Sequence, residues 1–270
     1  MKTKLSNANI DTWNGELYNK NSSLQYDYAM AFLHKQKLRG DEQILDVGCG
    51  DGKISREIAT LVSQGNVLGI DASVSMLQVA ELANNPVNLT FQPKDAQQLN
   101  FDCQFDLVTS FFCLQWVPNK LAAFQGIYQS LKPGGCLLAI MPMVSSFSEA
   151  PNKLMSDPHW QKYFVNYPDP LITARDTQYD NYIIQANLQL FNYHIEPITV
   201  VYPTLEEASS WLRAVTPHLT RLSNEQEKDA FIRAAVELYL QEVPLKQDGS
   251  CCVNHTLIKV IAHRPMDLGL

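Results

Sequence analysis

The nine residues from Ile44 to Gly52, ILDVGCGDG, restrict the fold of this chain more than any other stretch. Ile44, Leu45 and Val47 are strand formers around Asp46, and Gly48, Gly50 and Gly52 then crowd together with Cys49 and Asp51 between them. Ile54, Ile58, Leu61 and Val62 recur at helical spacing, so the order reads strand, glycine loop, helix. A ligand's phosphate, carboxylate or ribose can approach bare backbone at such a loop, because glycine has no Cβ to hold it off and tolerates positive φ.

The pattern continues on both sides of the loop. Residues 1–42 read as a helical arm, with Trp13, Leu17 and Tyr18 before a polar link and Leu24, Tyr26, Ala29, Met30, Phe32 and Leu33 as an apolar stripe. From Ile44 to Ile140, short β-rich runs (ILDVG, VLGIDA, LTFQPKDA, FDLVTSFF and GCLLAIMP) alternate with helical text. That alternation predicts right-handed βαβ units and a doubly wound α/β fold with a mostly parallel sheet. Residues 143–190 carry prolines at 151, 158, 168 and 170 among many aromatics, and read as a helical insertion after the fifth strand, able to lie over the carboxyl edge of the sheet. HIEPITVVYP then reads as a strand, LEEASSWLRAV and EQEKDAFIRAAVELYLQEV as helices, and CVNHTLIKVIAHRP as a last strand, so residues 43–142 and 191–270 form one domain. No internal repeat is visible.

A chain of 270 residues can bury roughly three quarters of the surface its unfolded form exposes, enough for a core without disulfides. The N-terminus lacks an apolar run behind its lysines, and no stretch approaches the roughly 20 apolar residues of a membrane span, so a cytoplasmic protein is expected. Cys49, Cys103, Cys113, Cys136, Cys251 and Cys252 show no CxxC pairing or zinc-type histidine spacing, and are read as reduced structural thiols with no metal. A formal charge of −7 argues against a broad nucleic-acid surface and otherwise serves solubility.

A glycine loop alone also suits dinucleotide-binding oxidoreductases. Asp71 ends VLGID about 20 residues past the glycines, where a carboxylate can accept both hydroxyls of a ribose, and both nicotinamide and adenosyl cofactors satisfy that feature. Each acidic residue also has a structural alternative. Asp46 could satisfy loop amides, Asp71 could cap the helix VSMLQVAEL, and Asp95 could cap a turn.

Taken in order, ILDVGCGDG, VLGIDASVSML, KDAQQL, FDLVTSFFCLQWV and LKPGGCLLAIMP resemble the successive motifs of class I S-adenosylmethionine-dependent methyltransferases. The resemblance covers about Gln43 to Met141 and implies a Rossmann-like methyltransferase fold with an antiparallel last strand and S-adenosyl-L-methionine as cofactor. It implies that the loop with Asp46, Gly48, Cys49 and Gly50 meets the methionine part and that Asp71 holds the ribose. Ala72, Ser73 and Met76 would border the adenine, Asp95 with Ala96 would meet its amino group, and Ser110 with Phe111 would close the pocket. In LKPGG, Pro133 is expected to stop a helix and Gly134 and Gly135 to open the next strand.

The start WNGELYNKNSSLQ, the segment FFCLQWV and the ending HTLIKVIAHRP are similar to the trans-aconitate and juvenile-hormone-acid branch, which methylates small or lipophilic carboxylic acids on oxygen. That resemblance implies an arm folded over the cofactor, roles for Tyr18, Ser23 and Gln25 near its methionine end or the substrate, and Gln115 and Trp116 facing the acceptor. Trp13 and Trp116 could equally be core aromatics. A carboxylate acceptor is ionised at neutral pH and needs no general base, so no residue is assigned a catalytic role. Arg175, Arg213, His218 and Arg221 are the cationic candidates for holding it, and each reads as a solvated surface residue. The sequence lacks the basic cluster a tricarboxylate would need, which favours a more apolar acid. A carrier-bound malonyl group, an amine or a phenol is the alternative acceptor, and a cofactor-binding protein without turnover the remaining one.

Overall fold

The computed structural model describes Asp11 and residues 13–266; the first ten residues of the expected arm lie outside that range. Seven strands form one sheet: β1 (Gln43–Val47), β2 (Asn66–Asp71), β3 (Leu89–Pro93), β4 (Phe105–Phe111), β5 (Leu131–Pro142), β6 (Gln189–Tyr202) and β7 (Cys251–His263), in the order β3-β2-β1-β4-β5-β7-β6. The pairs among β1 to β5 are parallel, and β7 runs antiparallel to both β5 and β6. The mostly parallel sheet with an antiparallel last strand is therefore present. The strand order reverses between β1 and β4, and in doubly wound sheets that crevice takes the ligand.

The period of two along each strand assigns its faces. Leu45 and Val47 join Val108, Leu137, Ala139 and Met141 under Phe124 and Ile127 of α5 (Lys120–Ser130) and Tyr179 and Ile183 of α7 (Tyr179–Gln185). Ile44, Leu107, Leu138 and Ile140 face Ala29, Met30 and Leu33 of α2 (Ser23–Leu33) and Ile58 of α3 (Lys53–Leu61). Because both faces are covered, the central strands read in sequence as apolar runs rather than as an alternation.

Two strand starts differ from the sequence reading. β5 opens at Leu131, which pairs with Phe105, two residues before Pro133, and Gly134 takes φ +78 to carry the chain through the irregular pairing that follows. β6 begins at Gln189, five residues before the expected His194. Its Pro197 is tolerated because β6 is the sheet edge.

The β6–β7 ribbon outgrows the sheet. β5 stops at the Pro142–Leu257 rung, while β6 and β7 stay paired from Pro197–Thr256 to Tyr202–Cys251. On this projecting end rest α6 (Ser146–Leu154), α8 (Leu205–Ala214) and α9 (Glu225–Glu242), through a third cluster built on Phe147, Trp211, Leu212, Phe231 and Tyr239 with Cys251 and Val253. Burying a side chain the size of Phe231 is worth about 1.5–3 kcal/mol, so the layer has a core of its own. It draws on residues 143–190 and equally on α8 and α9. Among the described residues, no helix is long and apolar enough to cross a membrane.

Candidate active site

A cavity of about 1370 Å³ lies at the carboxyl ends of β1, β2 and β4. Gly48 and Gly50 form one side; Asp71, Ala72 and Met76 border it from β2 and the start of α4 (Val74–Leu82); Asp95, Ala96 and Phe111 complete it. Asp46, Cys49 and Ser110 stand behind this wall. Asp46 accepts hydrogen bonds from Ser55 Oγ (2.5 Å) and Thr109 Oγ1 (2.8 Å), joining α3 and β4 to β1. Ser110 Oγ donates to Val47 O at 2.9 Å, and Cys49 is buried. Burial pushes the Asp46 carboxyl up to about 6, against the pull of its two hydroxyl partners.

The structural alternatives resolve differently for each acid. Asp46 serves hydroxyls rather than loop amides. Asp71 Oδ2 accepts from Gly50 N (2.9 Å) and Oδ1 from Ser73 N (2.8 Å), while the cap of α4 is Ser73, whose hydroxyl accepts from Met76 N (3.1 Å). Each Asp71 oxygen keeps a lone pair beyond its backbone bond, so the carboxylate can still accept from a ligand. Burial raises its pKa, and the two amides lower it. Asp95 does cap a turn, accepting from Gln97 N at 2.9 Å at the start of the short 3-10 segment Ala96–Gln98.

Two glycines have separate reasons. A Cβ on Gly48, at φ +75, would stand 2.2 Å from Cys113 Sγ, so the approach of the β4 loop excludes any side chain. Gly50, at φ +56, has only Tyr18 Cε1 near, at 3.9 Å, and leaves its backbone open to the cavity.

The arm closes the site from above. Asp11 Oδ2 accepts from Ser73 Oγ (2.9 Å) and Ser75 N (3.0 Å), Gly15 N donates to Ser75 Oγ (3.0 Å), and Asn19 Nδ2 donates to Asp51 Oδ2 (2.8 Å). These bonds hold α1 (Gly15–Asn21) across the glycine loop and α4. Tyr18 is half-buried there, and desolvation of its hydroxyl followed by Asp51 and Asp71 raises its pKa, so it carries its proton at neutral pH.

A second, narrower cavity adjoins the first, and Trp13, Tyr18, Phe112 and Trp116 line both. Trp13 meets Trp116 edge-to-face with ring centres 5.6 Å apart, and Tyr18 at 6.0 Å. Gln25 and Gln115 also line the second cavity. Gln115 Nε2 donates to Phe112 O at 2.8 Å, whereas Gln25 has no side-chain partner among the described residues; Oε1 of each is buried and unpaired. Ser23 is exposed and lines neither cavity.

Of the four cationic candidates, Arg175 pairs with Glu149 and Asp169, Arg213 with Glu225 and Asp229, and Arg221 Nε bonds Tyr163 O. His218 departs from the surface reading: it is 1% exposed and lines the second cavity, because the turn Pro217–Arg221 folds it between Phe164 and Phe231. Trp211, His255 and Phe112 lie on cavity walls without having been singled out in the sequence. Phe112 sits at φ +58, a conformation its residue type does not announce.

Residues 44–135 match the model of a methyltransferase domain. The chain is 32% identical over 256 residues to "Putative methyltransferase 235L" of Invertebrate iridescent virus 6, covering 94% of each chain. The chain belongs to the S-adenosylmethionine-dependent methyltransferases. It is also similar to the juvenile hormone acid O-methyltransferase of Drosophila melanogaster, at 27% identity over 242 residues, covering 83% of this chain and 81% of that one. In fold it resembles phosphoethanolamine N-methyltransferase 2 of Haemonchus contortus, with a TM-score of 0.59, 20% identity, and coverage of 95% of this chain and 58% of that one.

The methyltransferase cofactor fits the first cavity. Among the described residues its wall carries Asp11, Asp71 and Asp95 against one cation, Lys94, together with the rings of Tyr18, Phe112 and Trp116, surroundings that favour a sulfonium and a nucleoside.

Proposed function

We propose that the protein transfers the methyl group to the carboxylate oxygen of a small or lipophilic acid. In this reading Gly48 and Gly50 receive the methionine part of the cofactor, Asp71 the ribose, and Ala72, Met76, Asp95 and Ala96 the adenine. Residues 43–142 supply the cofactor half, while the arm, α6, α8 and α9 with the β6–β7 ribbon choose the acceptor.

One observation carries the choice of acceptor: among the described residues, the wall of the second cavity holds no Asp, Glu, Lys or Arg. Its titratable groups are Tyr18, which keeps its proton, and His218 and His255, which burial lowers to about 4. Imidazoles that weakly basic are poor proton acceptors for an amine, phenol or alcohol. A carboxylate arrives already deprotonated and needs none. The lack of a lysine or arginine on that wall likewise disfavours a tricarboxylate.

The bound cofactor supplies an electrophilic methyl group on a cationic sulfur. A carboxylate oxygen that took this methyl group would become a methyl ester, with the sulfur left as a neutral thioether and no proton for the chain to remove. The protein's part is alignment and exclusion of water. Gln25, with an unspent amide, and the indole N–H of Trp116 are the neutral donors placed to orient the carboxylate. The resemblance to juvenile hormone acid O-methyltransferase supports the same chemistry.

The test is mass spectrometry of products from a panel of aliphatic acids, amines, phenols and malonyl carrier protein. Methyl esters are expected, and Gln25→Leu should lower kcat/KM for them at least tenfold, the scale of one lost hydrogen bond to a charged group. An N-methylated or phenol-methylated product in place of esters would remove the carboxylate reading.

A further inference from the structure

Three residues of the second cavity that lie away from the cofactor cavity each carry a buried polar atom with no hydrogen-bond partner among the described residues: Trp211 Nε1, His218 Nδ1 and His255 Nε2. Trp211 and His255 pack edge-to-face with ring centres 5.2 Å apart, and none of the three residues reaches the wall shared with the cofactor cavity. Unpaired buried polar atoms lose their hydration without return, so native interiors rarely leave them without a protein, water or ligand partner. Three such atoms around one chamber lined largely by apolar residues, among them Val144, Leu171, Val215 and Leu257, point to a ligand atom there.

The neighbouring network fixes which partner they seek. Indole Nε1 can only donate. The two terminal atoms of Asn152 lie 3.0 Å from Asp169 Oδ1 and 3.1 Å from Arg175 Nη2, so the amide nitrogen faces the carboxylate and the oxygen faces the guanidinium. That nitrogen also lies 3.3 Å from His218 Nε2. Its second hydrogen therefore goes to Nε2, which must accept. Burial keeps the ring neutral, and its one proton sits on Nδ1, the atom without a partner among the described residues. Arg175, held by Glu149 and Asp169, anchors this relay from the surface. Trp211 and His218, two residues of the chamber wall, thus each carry a neutral donor without a partner among the described residues.

We infer that the remote end of the acceptor cavity binds an oxygen function, a carbonyl or hydroxyl, on the far part of the methyl acceptor, through Trp211 Nε1–H and His218 Nδ1–H. The acceptor is then bifunctional: a methylated group near the cofactor, an apolar stem, and a hydrogen-bond-accepting oxygen at its other end. Trp211 and His218 are specificity residues, and Asn152 is a positioning residue that sets the tautomer. The inference rests on the carboxylate reading only for the identity of the methylated group.

Decanoic acid and 9-oxodecanoic acid, which differ by one ketone oxygen, test it. The ketone acid should show at least tenfold higher kcat/KM, and Trp211→Phe and His218→Phe should each bring the ratio of the two acids toward one. Equal or reversed preference in the unmodified enzyme, or a ratio unmoved by both variants, overturns the inference. If neither acid is methylated, the carboxylate reading fails, and calorimetry with 2-decanone and decane-sized alcohols in the presence of S-adenosylhomocysteine decides the inference separately. Binding of these probes that Trp211→Phe weakens supports it; no binding overturns it. Long-range ¹H–¹⁵N spectra should show His218 protonated on Nδ1, shifting toward the other tautomer in Asn152→Leu, whereas an Nε2–H ring in the unmodified enzyme overturns the assignment of donors.

Discussion

Asp46 shows how a residue can sit inside a ligand-binding motif and still work on the fold. Its carboxyl is buried, tied to Ser55 and Thr109, and raised to about 6. The folded protein therefore binds the Asp46 proton more tightly than the unfolded chain. The resulting stability is fully present below about pH 4 and is lost as the pH rises through 6, an effect of about 3 kcal/mol for a shift of roughly two units. Unfolding measured against pH for the unmodified protein and Asp46→Asn should show their difference changing by that amount between pH 4 and 7, and level above. Asp71, Asp95 and the glycines were legible because strand ends in a parallel sheet place them in a fixed order. Trp211, His218 and His255 were not, since a lone histidine or tryptophan in helical or strand text carries no periodic mark of the cavity it will line. For His218 the rule that an isolated polar residue faces solvent lost to the enclosure of its turn by Phe164, Tyr167 and Phe231.

Among the elements, α4 and the arm share one serine that serves both. Ser73 caps α4 by accepting from Met76 N and donates its own proton to Asp11 on the arm. Ser73→Ala removes both bonds, whereas Asp11→Ala removes only the tie. The first should cost about 1 kcal/mol in unfolding free energy, typical of a lost cap. The second should leave global unfolding nearly unchanged while speeding proteolysis of residues 11–22, a difference that limited digestion beside denaturant melts would show. The central strands could be read from sequence because burial on both faces yields unbroken apolar runs. The opening of β6, QLFNY, could not. At the sheet edge Phe191 stays exposed and the polar positions follow no clean alternation, so only the pairing with β7 defines the strand.

At the level of the whole molecule, the first cavity was legible from local order, but the second is assembled from segments far apart in sequence: Gln25, Gln115, Met143, Leu171, Trp211 and His255 meet only in three dimensions. The projecting β6–β7 ribbon makes that meeting possible, and a ribbon's length beyond its sheet is set by pairing that sequence periodicity does not report. The four aromatic residues shared by the two cavities have a thermodynamic consequence. A ligand that orders Trp13, Tyr18, Phe112 and Trp116 from one side has met part of the ordering cost for a ligand on the other, so the two binding equilibria are linked. Linkage is reciprocal: S-adenosylhomocysteine should tighten the binding of 9-oxodecanoic acid by some factor, commonly about 5- to 150-fold for coupled sites, and the acid should tighten S-adenosylhomocysteine by the same factor. Calorimetric titrations in both orders measure it, and independent affinities would mean that the shared wall is rigid before either ligand arrives.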